Sequence, residues 1–151
     1  MILQKIVDNR RSEVARQKEI LPHSELRRML ADRPPTRDFA AALRGRGCAV
    51  IAEVKRSSPS KGRIRDDFDP AAIARTYEES GASAVSILTE RKFFEGSAAY
   101  VPQIRKAVNL PLLRKDFVID SYQIAETRVL GGDALLLIAR VLEAGELLDF
   151  I

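Results

Sequence analysis

The chain has 151 residues, 46% of them apolar and 30% charged, with 25 basic and 21 acidic side chains for a net charge of +4. That length favours one domain large enough to bury a core. The basic residues are scattered among acids and aromatics are few, which argues against a nucleic-acid module. One cysteine, Cys48, and one histidine, His23, exclude an intramolecular disulfide and weigh against a zinc centre. There is no apolar run of bilayer-spanning length, and charges interrupt the N-terminus every few positions, unlike a secretory signal. The expectation is a cytoplasmic protein with no membrane segment.

Residues 2–20 carry Ile2, Leu3, Ile6, Val7, Val14 and Ala15 at helical spacing, an apolar stripe on a solvated helix. Pro22 ends it. His23 lies in a polar linker, and Ser24 can cap a short helix over 25–30. Pro34-Pro35 breaks the chain again. Thr36 or Asp38 can cap a further segment over 39–43, closed by Gly45 and Gly47. The arginine pairs Arg10-Arg11 and Arg27-Arg28 read as solvated faces. Residues 1–47 thus form a helical extension.

From Cys48 a regular rhythm begins. Residues 49–54 are apolar and β-branched apart from Glu53, as expected of a buried parallel strand running to Lys55, with Cys48 packing in the core at its start. Ser57 to Gly62, SSPSKG, is a loop by composition. Asp69-Pro70 opens a helix over 71–80, closed by Gly81. A strand over 84–89, the loop ERKFFEG and a helix over 98–108 follow. Residues 112–118 form a third strand, with Asp120 or Ser121 capping a helix to residue 130 and Gly131-Gly132 closing it. A fourth strand spans 134–139, and a last helix begins near Glu143. Four consecutive βα units with apolar strands specify an α/β class with a parallel sheet and right-handed crossovers over 48–151. An open four-stranded sheet with helices on both faces is the alternative architecture.

In such sheets the chemistry gathers at the C-terminal strand ends. Polar residues fall there in three units: Glu53 and Lys55, Thr89 and Glu90, Lys115 and Asp116. Two-residue spacing puts Glu53 and Lys55 on one face of their strand, and Lys115 and Phe117 on one face of theirs, opposite Arg114 and Asp116. A structural ion pair and a catalytic one both fit the first pair. A lysine facing the space above an apolar sheet needs an acid or an anionic ligand to hold it. It can serve as a general acid or form a Schiff base, or simply pair with a carboxylate. Phe93, Phe94 and Phe117 can wall an aromatic substrate or belong to the core. Neither a Walker loop nor a dinucleotide fingerprint follows the first strand, so no nucleotide cofactor is indicated.

The segments IAEVKRSSPSKG at 51–62, SILTERKFFEGS at 86–97, LPLLRKDFVIDSYQI at 110–124 and GGDALLLIARVL at 131–142 resemble indole-3-glycerol-phosphate synthases of tryptophan biosynthesis. The likeness runs over essentially the whole chain. It implies a TIM-barrel fold and a carboxy-lyase. That enzyme closes the indole ring of 1-(2-carboxyphenylamino)-1-deoxyribulose 5-phosphate, losing carbon dioxide and water, without cofactor or metal. By motif position, Lys115 is implied as the general acid, Lys55 as a second lysine near the substrate carboxylate, and Glu53 as the residue that holds Lys55. Ser58 and Pro59 are implied to line the pocket. Phe94, Phe117, Leu88 and Leu137 are implied to sandwich the anthranilate ring.

A full barrel has eight βα units in about 250 residues; here four follow the helical extension. The family's glutamate base, its asparagine and its main phosphate loops belong to the fifth to eighth units. The resemblance therefore implies the N-terminal half of such an enzyme, inactive alone, with open sheet edges that a second copy could cover.

Overall fold

A computed structural model describes residues 2–44, 47–64 and 66–151. The helix-ending role expected of Gly45 lies outside the described residues.

Helix α1 spans Ile2–Ile20 and buries Ile6, Val7, Arg10 and Val14. Helix α2 spans His23–Leu30, two residues earlier than expected. Pro22 occupies its N-cap, so Ser24 lies inside the helix and caps nothing. His23 is likewise no linker residue; its ring meets Tyr122 edge-on at 6.0 Å. Helix α3, Phe39–Ala42, is capped by Asp38, whose carboxylate accepts from the Ala41 N–H at 2.8 Å.

Strand β1 is Ile51–Val54. A two-residue ladder, β2 (Ser57–Ser58) against antiparallel β3 (Gly62–Arg63), folds the SSPSKG segment into a small hairpin. Helix α4, Pro70–Glu79, starts where Asp69 Oδ1 accepts from Ala71 and Ala72 N–H at 2.9 and 3.0 Å, with Pro70 in the first turn. Strand β4 is Ala84–Leu88, helix α5 Tyr100–Ala107 and strand β5 Leu112–Lys115. Helix α6, Ser121–Leu130, is capped by Asp120 and closed by Gly131 at φ +97°, a conformation glycine adopts without steric cost. Strand β6 is Ala134–Leu135, followed by a 3-10 turn at Ala139–Val141 and helix α7, Ala144–Phe150.

The sheet is fully parallel in the order β1-β4-β5-β6. Each crossover steps the same way along the sheet, so there is no switch point of the kind a doubly wound sheet requires. The register pairs Val54 with Ile87, and Val85 with Leu112, on one face. These four pack with Ala74 of α4 and with Val101, Ile104 and Val108 of the α5 segment as the main core. Each such aliphatic side chain contributes about 1.5–3 kcal/mol. A second cluster joins Val14 of α1, Leu26 of α2 and Tyr122, Ala125 and Val129 of α6.

Two expectations for the strands need correction. Cys48 is exposed rather than packed in the core, and Val50 and Ile51 stand 51% and 42% exposed. The reason is position: β1 has β4 on one side and no neighbouring strand on the other among the described residues. The fourth strand also stops well short of residue 139. Leu136 N–H still reaches Arg114 O at 3.2 Å, but β5 ends at Lys115 and offers no further ladder.

Candidate active site

Parallel pairing carries Glu53 beside Ser86, Ser86 beside Leu113, and Leu88 beside Lys115. Paired residues point to the same side, so these side chains share the face opposite the main core. Glu53 is the meeting point. Its Oε1 lies 3.0 Å from Lys55 Nζ, its Oε2 3.8 Å from Lys115 Nζ, and Ser86 Oγ donates to Oε2 at 3.4 Å. The Glu53 carbonyl accepts from the Tyr77 hydroxyl of α4 at 3.1 Å, which fixes the strand beneath the carboxylate. The two lysines, sixty positions apart in sequence, therefore converge on one acid.

These three side chains remain roughly one-third exposed. Ion pairs that wet contribute about 0–1 kcal/mol, so fold stability does not explain the arrangement. Two ammonium groups on one carboxylate leave a positive charge over, directed at open space. Such a group can neutralise an anion or hand a proton to a bound oxygen.

Next to this triad is a cavity of about 510 Å³. Lys55, Ser58, Pro59, Phe94 and Phe117 line it, together with Ser60, Lys61 and Ile64 of the hairpin segment. The Phe94 and Phe117 rings stand 6.2 Å apart at 39°, an apolar wall of the size an aromatic ring needs. Phe93 departs from this group and lines a separate depression with Lys5 and Asp8 of α1. Leu88 is buried, and Leu137 lies beyond the last paired residue of β6. Neither is among the residues lining the cavity.

The loop that presents Phe94 is built around Glu90, which is fully buried. Its Oε2 accepts from Phe93 and Phe94 N–H at 2.7 and 3.1 Å, and its Oε1 from Lys92 N–H at 3.2 Å. Burial raises the Glu90 pKa against the pull of these three donors. Gly96 closes the loop: a Cβ there would meet Leu88 O at 2.5 Å. Glu95, at φ +50°, accepts from Arg63 Nε and Nη2 at 3.2 and 3.1 Å, tying this loop to the β2–β3 hairpin.

Two features escaped sequence reasoning. Ile2, Leu3 and Ile6 of α1 line the same cavity, so the first helix is part of its wall. Arg10, read as solvated, is 2% exposed and reaches Asp116. A signal existed: Arg10 lies four positions after Ile6 and four before Val14, squarely in the buried stripe. Arg11, Arg27 and Arg28 are exposed, as expected. Among the described residues no cluster of His, Cys, Asp and Glu could hold a metal, and no helix is long and apolar enough to cross a membrane.

The chain that carries this site is similar to known proteins. The family model described as indole-3-glycerol phosphate synthase matches residues 3–150. The chain is 50% identical over 151 residues to the indole-3-glycerol phosphate synthase of Chlorobium phaeovibrioides, covering 99% of this chain and 58% of that protein. It is 49% identical over 153 residues to that of Neisseria gonorrhoeae, covering 99% and 59%, and 51% identical over 149 residues to that of a Roseiflexus species, covering 94% and 55%. The chain thus spans a little under three-fifths of the length of these curated relatives. With a family match that runs nearly from end to end, this chain belongs to the indole-3-glycerol phosphate synthase family.

Proposed function

We propose that this chain carries the lysine–carboxylate part of an active site that closes the indole ring of 1-(2-carboxyphenylamino)-1-deoxyribulose 5-phosphate, with loss of carbon dioxide and water. The observation that carries the reading is the convergence of Lys55 and Lys115 on Glu53 beside a cavity walled by Phe94 and Phe117. The ring carbon bearing the carboxylate attacks the ketone carbon, so the ketone oxygen must gain a proton as the bond forms. Lys115 is the proton donor. Lys55 neutralises the substrate carboxylate and serves the hydroxyl that later leaves as water. Glu53 holds the Lys55 ammonium at 3.0 Å. Phe94 and Phe117 hold the aromatic ring against the ketone, and an apolar slot of this kind supplies orientation that solution lacks. Ser58 and Pro59 shape the mouth.

The four parallel strands are the first four of an eight-stranded TIM barrel in this proposal. Support comes from their consecutive order, from the bare outer edge of β1, and from relatives longer than the chain. The 151 residues assayed alone are proposed to have no turnover. In isolation a second copy covers the edges, which sedimentation equilibrium reads as a dimer; a monomer overturns that part.

The test is a fusion of this chain to the portion of the Chlorobium phaeovibrioides relative that the match leaves uncovered, followed by the appearance of the indole product. Turnover that Lys115→Ala and Lys55→Ala each lower by about a hundredfold or more supports the proposal. A fusion without turnover, or one indifferent to both substitutions, overturns it.

A further inference from the structure

At the end of β5, alternation sends Lys115 to the cavity side and Arg114 and Asp116 to the other. Asp116 is buried, and its carboxylate is crowded with donors. Oδ2 accepts from Arg10 Nη2 at 3.0 Å, Arg114 Nη2 at 3.2 Å and the Thr89 hydroxyl; Oδ1 accepts from the Phe117 N–H at 2.8 Å. Arg114 also donates to Glu126 at 2.7 Å and to the hydroxyls of Thr127 and Thr89 at 3.1 and 3.0 Å. Arg10 donates in turn to Glu13 at 2.8 Å. Thr89 N–H donates to the Lys115 carbonyl at 3.1 Å. Donors from α1, from the end of β4, from β5 and from the next residue therefore meet on one carboxylate, immediately beside Lys115 in the chain.

The cavity side offers nothing comparable. Among the described residues the acid nearest the Lys115 ammonium is Glu53 at 3.8 Å, beyond hydrogen-bond reach. The direction of the Lys115 side chain is then set by its backbone, and that backbone is fixed from behind. We propose that Asp116, with Arg10 of α1 as its partner, is a positioning pair for Lys115. It aims Lys115 from the opposite face of the strand and links its placement to the α1 turns that wall the cavity. The inference rests on the proposed reaction.

The test uses the fused chain, with Asp116→Asn, Arg10→Met and Arg10→Lys, well below each variant's melting temperature. Misplacement of a reacting group by about an ångström costs up to about a hundredfold, so Asp116→Asn and Arg10→Met are expected to lower kcat about 10- to 100-fold. Binding of a substrate analogue with its ketone reduced to an alcohol changes by less than about twofold, because the analogue needs no proton donor. Arg10→Lys restores part of kcat. In a Lys115→Ala background Asp116→Asn costs nothing more, because the group it aims is gone. The inference is overturned if these variants melt earlier but keep kcat, or if Asp116→Asn lowers kcat as much without Lys115 as with it. Should Asp116→Asn fail to fold, Arg10→Met against Arg10→Lys decides by the same criteria. Should the unsubstituted fusion be inert, or Lys115→Ala leave it fully active, the reaction itself is wrong and the positioning role falls with it.

Discussion

The two faces of one strand end differ sharply. On the cavity side, Lys55, Glu53 and Lys115 stay one-third exposed and make one close ion pair and one loose one. On the helix side, Arg10, Arg114, Asp116 and Thr89 are buried and joined through Asp116 Oδ2 and the Thr89 hydroxyl, with only Arg10 Nε among their side-chain polar atoms left without a partner. Lys115 and Asp116 are consecutive, so a single peptide unit separates the wet arrangement from the dry one. Wet charges can move, exchange partners and meet a ligand at little cost. Dry charges cannot give up a partner without exposing an uncompensated ion. The strand end keeps wet, movable charge on one side and rigidity on the other.

Substitutions should separate the two faces. The largest effect is on turnover: Lys115→Ala in the fused chain is expected to cut kcat about 10²- to 10⁴-fold. Its urea midpoint should correspond to a stability change within about 0.5 kcal/mol. A large loss of stability from this substitution would break the comparison. Next comes Asp116→Ala, which strands Arg10 and Arg114 and should destabilise by about 3–5 kcal/mol in chemical denaturation. A loss below about 1 kcal/mol would mean the helix-side network is wet in solution.

Glu53→Gln sharpens the contrast from the other side. Its pairs are exposed, so unfolding free energy should change by no more than about 1 kcal/mol while turnover falls. The smallest effect concerns Glu90, whose pKa burial raises. A carboxyl group raised in the folded state stabilises most below its ordinary pKa, and that contribution is lost as pH rises through the folded value. The melting-temperature difference between the wild-type chain and Glu90→Gln should therefore shift against the wild type as pH climbs through the window just above the ordinary glutamate pKa. A difference that is flat, or that shifts the other way, would show the three backbone donors outweighing burial.

Much of this was legible from residues alone. Alternation put Glu53 with Lys55 and Lys115 with Phe117, because period-two geometry is local. Asp38, Asp69 and Asp120 announced their helices by capping, which is local too. Arg10 was misread because the usual rule puts arginine in solvent; its partner lies 106 positions away and leaves no mark on α1 except an apolar register it interrupts. Cys48 was misread because an apolar strand looks the same whether it has one neighbour or two. The extents of β5 and β6 were overestimated because an apolar run does not show where its neighbour stops pairing: β5 ends at Lys115 and β6 at Leu135.

The sheet order carries one last consequence, for amide exchange with solvent deuterium. Strand β4 lies between β1 and β5, and every one of its five residues is buried, whereas β1 borders a single strand among the described residues. Local openings begin where the fewest bonds must break. The amides of Val85 to Leu88 should thus be the last in the sheet to exchange, and those of β1 whose N–H groups face the bare side among the first.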